Sequence, residues 1–170
     1  MKWLVVPMLG FVAAIATPAL GQVEYRPAGG GFRVEFPARP VVKKEISSTR
    51  FGPTPMESAE WTRPKGGTCY ANHSLYPPPA GSEDPQRLLD QIRVGRTVKG
   101  SLRIQKRFQL DGLPAQRDVV DWMSGTRPVI VSLDVMRDTH LYSIFCIVDR
   151  GQEDAPDVAK FVDSFALLPF

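Results

Sequence analysis

The first clear pattern in the chain is strict alternation. Phe32, Val34 and Phe36 alternate with Arg33 and Glu35, the period of a half-buried strand. Pro37 and Pro40 close that run, and residues 41–48 offer a weaker second strand. Residues 51–55 read as a turn-rich connection and 56–62 as a third strand, ended by the turn Pro64-Lys65-Gly66-Gly67. Residues 68–76 then set Cys69, Ala71, His73 and Leu75 against Tyr70, Asn72, Ser74 and Tyr76. Residues 22–31, ahead of all this, read as a polar, glycine-rich lead-in.

The period changes after residue 84. Asp84 is a fitting N-cap and Pro85 a fitting first helical residue. Leu88, Leu89 and Ile92 form one apolar stripe, with Gly100 as the far limit. A strand with Leu102, Ile104, Phe108 and Leu110 on one face follows, Lys106 interrupting that face. Asp111-Gly112 is a hairpin signal, returning the chain through a strand that ends near Trp122. After a turn over 124–128, Val129, Val131, Leu133 and Val135 alternate, residues 137–140 turn, and the very apolar 141–148 suits a central strand. Val158, Phe161, Val162 and Phe165 fall at i, i+3, i+4 and i+7, the stripe of a docked helix.

Clustered strands joined by short turns, with two helices, predict an α+β fold: one domain, with a central antiparallel β-sheet flanked by helices.

The first 21 residues stand apart. Met1-Lys2 precedes a run from Trp3 to Ala16 without a charged side chain. Small residues follow at Ala19 and Gly21, which fits a signal peptide over 1–21 cleaved before Gln22. The run is shorter than the roughly 20 residues of a spanning helix. The expected product is one periplasmic or secreted domain, 22–170, that does not span the membrane. The leader carries one of the 21 Lys and Arg and no acid, so the net charge falls from +3 to +2. So small a balance is no argument for a polyanion, and export sets nucleic acid aside.

In an oxidising compartment Cys69 and Cys146 have only each other as partners. Sequence leaves open whether they pair or stay as buried thiols. His73 and His140 are the only histidines. Cys69 and His73 share a strand face but sit about 13 Å apart at that spacing, and no nucleophile motif accompanies either histidine. No catalytic set, metal site or cofactor is expected. The cluster Asp149, Glu153, Asp154 and Asp157 lacks a calcium-loop spacing and suits the start of a helix instead. Gly29-Gly30-Gly31 follows no strand and opens no phosphate-binding helix. The strongest charge feature is basic. Arg93, Arg96, Lys99, Arg103, Lys106 and Arg107 lie between Asp90 and Asp111 with no acid among them. They are the candidate contact for an anionic partner, against the alternative of a solvated helix end and strand face.

Three stretches resemble a known family. Phe32-Arg33-Val34-Glu35-Phe36-Pro37 resembles the opening strand of PsbP-like proteins, named for the extrinsic P subunit of photosystem II. Leu89-Asp90 through Gly100, Leu110, Gly112 and Pro114 to Arg117 resembles small secreted bacterial proteins of that fold. So does His140-Leu141-Tyr142 leading to Phe161, Asp163, Ser164 and Phe165. The resemblance implies a central antiparallel sheet with flanking helices and an accessory or binding role; it carries over no catalytic or metal-binding residue. The expectation is a non-enzymatic module of the cell envelope that binds an unidentified envelope component or protein, with an anionic one suited to the basic stretch. The alternatives are a secreted hydrolase with a site assembled from scattered residues, and a small-molecule carrier with a large apolar cavity between sheet and helix.

Overall fold

The structure is a computed structural model that describes residues 21–122 and 128–169. The expected leader, apart from Gly21, and most of the 124–128 turn lie outside the described residues. Two short strands open it, β1 (Val23–Tyr25) and β2 (Phe32–Phe36). Three long ones follow, β3 (Val41–Thr49), β4 (Gly52–Thr62) and β5 (Thr68–Leu75). A 3-10 turn at Pro78–Ser82 leads into helix α1 (Pro85–Thr97). Then come β6 (Gly100–Leu110), β7 (Leu113–Trp122), β8 (Val129–Arg137) and β9 (His140–Val148). Helix α2 (Pro156–Asp163) and β10 (Ala166–Leu167) complete the chain.

The seven long strands make one antiparallel sheet in the order β3-β4-β5-β9-β8-β7-β6. Two hairpin sets, β3–β5 and β6–β9, therefore meet along a single seam, β5 against β9. Two of the predicted local signals hold, at Asp84 and at Asp111-Gly112. Asp84 caps α1 by accepting a hydrogen bond from the Arg87 N–H at 3.1 Å. Asp111 and Gly112 both take positive φ (50° and 80°), which a tight hairpin turn requires.

The architecture is richer in strand than helices flanking a sheet would imply. The lead-in holds β1, and with β2 and β10 it builds a second, three-stranded sheet. That small sheet and α2 together cover one face of the large sheet. Phe32, Val34, Phe36, Phe161 and Phe165 pack there on Tyr142, Ile144 and Val135. Phe165 completes the stripe from just beyond the helix, still buried. β4 also starts earlier than the sequence suggests, taking in Pro53 and Pro55. The β4–β5 ladder begins only at Met56, so these prolines lie where β4 has one neighbour, β3, rather than two.

The opposite face is covered by α1, which packs over β6, β7 and β8. Leu88 and Leu89 meet Met136 and Leu141 in a smaller core. The same face of β3, β4 and β5 has no helix packed above it. The large sheet is thus closed on one side and half open on the other.

Candidate functional site

The half-open face carries nearly all of the buried polarity. Among the described residues, every buried polar or charged side chain except Arg63 lies on it: Thr54, Ser74, Gln116, Asp118, Ser132, Asp134 and Ser143. Alternation puts them there, because each shares its strand with apolar neighbours that face the larger core.

At the centre, Arg96 reaches down from the last turn of α1. Its guanidinium grips both carboxylate oxygens of Asp134, with Nη2 to Oδ1 at 2.8 Å. Nη1 also donates to the Ser132 hydroxyl at 3.0 Å, and Ser143 donates to Asp134 at 2.5 Å. The carboxylate is fully buried, so this fork both neutralises it and docks the helix end. Beside it Gln116 donates to the Leu89 carbonyl at 2.9 Å and to Asp118 at 3.0 Å. Burial, with the Asp134 charge added, pushes the Asp118 carboxyl up to about 6.

Where α1 ends, this network opens into a groove of about 300 Å3. Asn72, Ser74, Ser143 and Phe145 form its floor, Ile92 and Arg96 one wall, and Ser47, Thr49 and Met56 the other. Phe145 stacks on Tyr70 with ring centroids 4.9 Å apart, and the Arg96 guanidinium lies 5.3 Å from the Phe145 centroid. The walls offer hydroxyls, an amide, a fixed cation and aromatic edges. Its carboxylate is already committed to Arg96, and Asp118 is sealed beneath the helix. The groove therefore presents hydrogen-bonding, cationic and aromatic contacts to its opening.

On the closed face, the two histidines meet. His73 Nε2 and His140 Nδ1 are 2.9 Å apart, and the rings are parallel to within 4°. Their centroids lie 5.1 Å apart, close to the nitrogen separation plus a ring radius on each side. The rings are therefore edge to edge, joined by one N–H···N hydrogen bond, rather than stacked face to face. Burial, and for His73 the nearby His140, holds both imidazoles below their ordinary range. Glu57 stands cross-strand from His73 and takes the Tyr25 hydroxyl at 2.6 Å and the Lys44 ammonium at 3.0 Å. A cavity of about 410 Å3 opens beside them, with Ile46, Pro55 and Leu75 in its lining.

Cys69 and Cys146 face each other across the β5–β9 seam, Cα atoms 4.0 Å apart, and form a disulfide. Cys69 therefore has no thiol to set beside His73. Of the acidic cluster, Glu153 takes Arg103 and Asp157 takes Arg63. No group of three or more His, Cys, Asp or Glu among the described residues is placed to hold a metal ion.

The six cations of the basic stretch do not gather into one patch. Arg93, Arg96 and Arg107 serve the α1 side, where Arg93 and Arg107 share Asp90 and Arg96 takes Asp134. Arg103 binds Asp121 and Glu153, and Lys106 pairs in register with Arg117 on the closed-face side. Lys99 and Lys106 are exposed and have no ion pair among the described residues.

The fold of this chain is PsbP-like. It matches the solution structure of cyanobacterial PsbP (CyanoP) from Synechocystis sp. PCC 6803 with a TM-score of 0.58, covering 94% of this chain and 98% of that one at 9% identity. A Pseudomonas aeruginosa protein of unknown function matches more loosely, with a TM-score of 0.39, 9% identity, and 78% and 85% of the two chains covered. No family model and no curated protein matches. Among the described residues, no helix is long and apolar enough to cross a membrane.

Proposed function

We propose that this chain is an exported accessory module, acting without catalysis, that binds a partner in the groove on the open half of its sheet. The observation that carries the reading is Arg96. One side chain anchors α1 on the buried carboxylate of Asp134 and also forms the wall of an otherwise uncovered, polar and aromatic groove. A surface held that rigidly binds with little ordering cost. Export is supported by the charge-free run ahead of residue 22 and by the disulfide, which suits an oxidising compartment.

The test is a photo-crosslinking amino acid placed singly at Asn72, at Met56 and, as a control, at Arg39. Crosslinks to one envelope species from positions 72 and 56, absent from 39, are expected. Labelling from 39 alone, or none from any position, would refute the groove. N-terminal sequencing of the envelope-borne protein should begin at Gln22.

A second contact is favoured by Lys106, exposed and without an ion pair among the described residues and beside Arg117. It would suit an anionic partner. Reversing its charge should lower retention on anionic envelope material, more at low salt than at high.

A further inference from the structure

The two outer strands of the large sheet are built differently. β6 carries a register break between Leu102 and Ile104, with Arg103 turned to Asp121 and Glu153. A bulge and crossing charges of this kind keep an edge from pairing with another chain. β3 has neither. Its ladder with β4 runs unbroken from Val41↔Glu60 to Thr49↔Gly52. Residues 41–46 are all exposed, including Val41 at 61%, Val42 at 47% and Ile46 at 73%. Its two lysines, which would ordinarily guard an edge, lean inward onto β4: Lys43 to Glu60 and Lys44 to Glu57, each at 3.0 Å.

The sequence of that strand is complementary to itself. Two copies of β3 can pair antiparallel in one continuous sheet only about a two-fold axis perpendicular to the sheet. Such an axis matches residues of the same face, so every pair shares parity. With Lys44 on the axis, Val42 meets the partner's Ile46 and Lys43 meets the partner's Glu45, apolar to apolar and cation to anion. Moving the axis to Lys43 would set Val42 against Lys44 and Val41 against Glu45. Moving it to Glu45 would set Lys44 against Ile46 and Glu45 against itself. Of these three registers, only the one centred on Lys44 pairs apolar with apolar on one face and cation with anion on the other, and the like charge it leaves on the axis is already held by Glu57.

We infer that the occupant of the β3 edge is a second copy of this chain, giving a two-fold dimer with a fourteen-stranded sheet. The interface is isologous, as closed dimers require. It joins the open halves of the two sheets side by side, so the two grooves would share one continuous face.

The experiment is sedimentation of the full chain, expressed in a secreting host and taken in the form that accumulates. The wild type should show a concentration-dependent dimer. Glu45→Lys places like charges opposite each other at both symmetric sites and should weaken dimerisation roughly tenfold. The swap K43E/E45K should restore it, separating lost pairing from lost folding. Lys44→Cys, lying on the axis, should oxidise to a cross-linked dimer, whereas Val42→Cys alone should not. A wild type that sediments as a monomer at all concentrations would overturn the inference. So would a dimer indifferent to E45K, an unrescued swap, or a cross-link formed by V42C instead of K44C.

Discussion

Arg63 and Asp157 form a two-pronged ion pair between the β4–β5 turn and the first turn of α2. Nε donates to Oδ2 at 2.8 Å and Nη2 to Oδ1 at 3.0 Å, while Nη1 holds the Gly66 carbonyl at 2.7 Å. The arginine side chain is fully buried and the aspartate about 30% exposed. Arg63→Ala therefore leaves a carboxylate that water can still reach, so the loss should fall near the low end for a broken buried pair, about 3 kcal/mol by urea unfolding. The pair also leaves a pH signature. Arg63 holds the Asp157 carboxyl below its ordinary value of 3.8. The contribution is present above that value and is lost as pH falls through the folded one. Asp157→Asn should lose the acid-dependent part of the curve.

Asp118 should behave in the opposite sense. Its folded value is near 6 against an ordinary 3.8, so the folded state binds a proton more readily than the unfolded chain. Its contribution is greatest below about pH 4 and declines as pH rises to 6. Asp118→Asn keeps the acceptor for Gln116 without the buried charge. It should be more stable than the wild type at pH 7.5, by on the order of 2 kcal/mol, with the difference vanishing near pH 4. A variant no more stable at pH 7.5 would mean that Asp118 carries no such penalty.

The histidine pair gives a third pH term. Both imidazoles lie below the ordinary 6.5 in the folded protein. Stability is therefore full above that value and is lost as pH falls from 6.5 through the folded values. The charged groups around the pair are Glu57 from β4, Asp138 from the β8–β9 turn and Arg137 from β8. His73→Gln should reduce the slope of the unfolding free energy between pH 6.5 and 5, leaving the His140 contribution and the opposite Asp118 trend. NMR titration of the two imidazoles checks it directly, with neither expected to protonate at its ordinary value.

Removing the disulfide tests the seam. Cys69 and Cys146 are 77 residues apart. In the chain-entropy account, opening a loop that long costs about 4 kcal/mol. The double Cys→Ala variant should lose roughly that much by urea unfolding, and the wild type should show no free thiol, folded or unfolded, until it is reduced.

Much of this fold is legible in the sequence because its signals are local. Asp111-Gly112 marks a hairpin, Asp84-Pro85 starts a helix, and Val129 to Val135 alternates over a full strand. What escapes is short or long-range. β1 and β10 have three and two residues, too few to show a period, and exist only because Phe32–Phe36 pairs with both. Gln116, Asp118, Ser132 and Asp134 read as a solvent face, since polar alternation ordinarily means water; a helix covers them instead. The one available hint is that neighbouring strands carry such residues near an amphipathic helix ending in arginine. Arg96 reads as a contact residue from the charge pattern, but nothing in its neighbours points to Asp134. The two histidines lie 67 positions apart and meet through the β5–β9 register, which no local pattern encodes.

The single seam has a consequence for the order of assembly. β3, β4 and β5 are all synthesised before α1, and β5 keeps a raw inner edge until β9, the last long strand, arrives. Cys69 can find Cys146 only at that moment. The cross-link is therefore a receipt for completed folding: a chain that stalls halfway still carries a reactive thiol on an unfinished edge, visible to whatever quality control patrols its compartment.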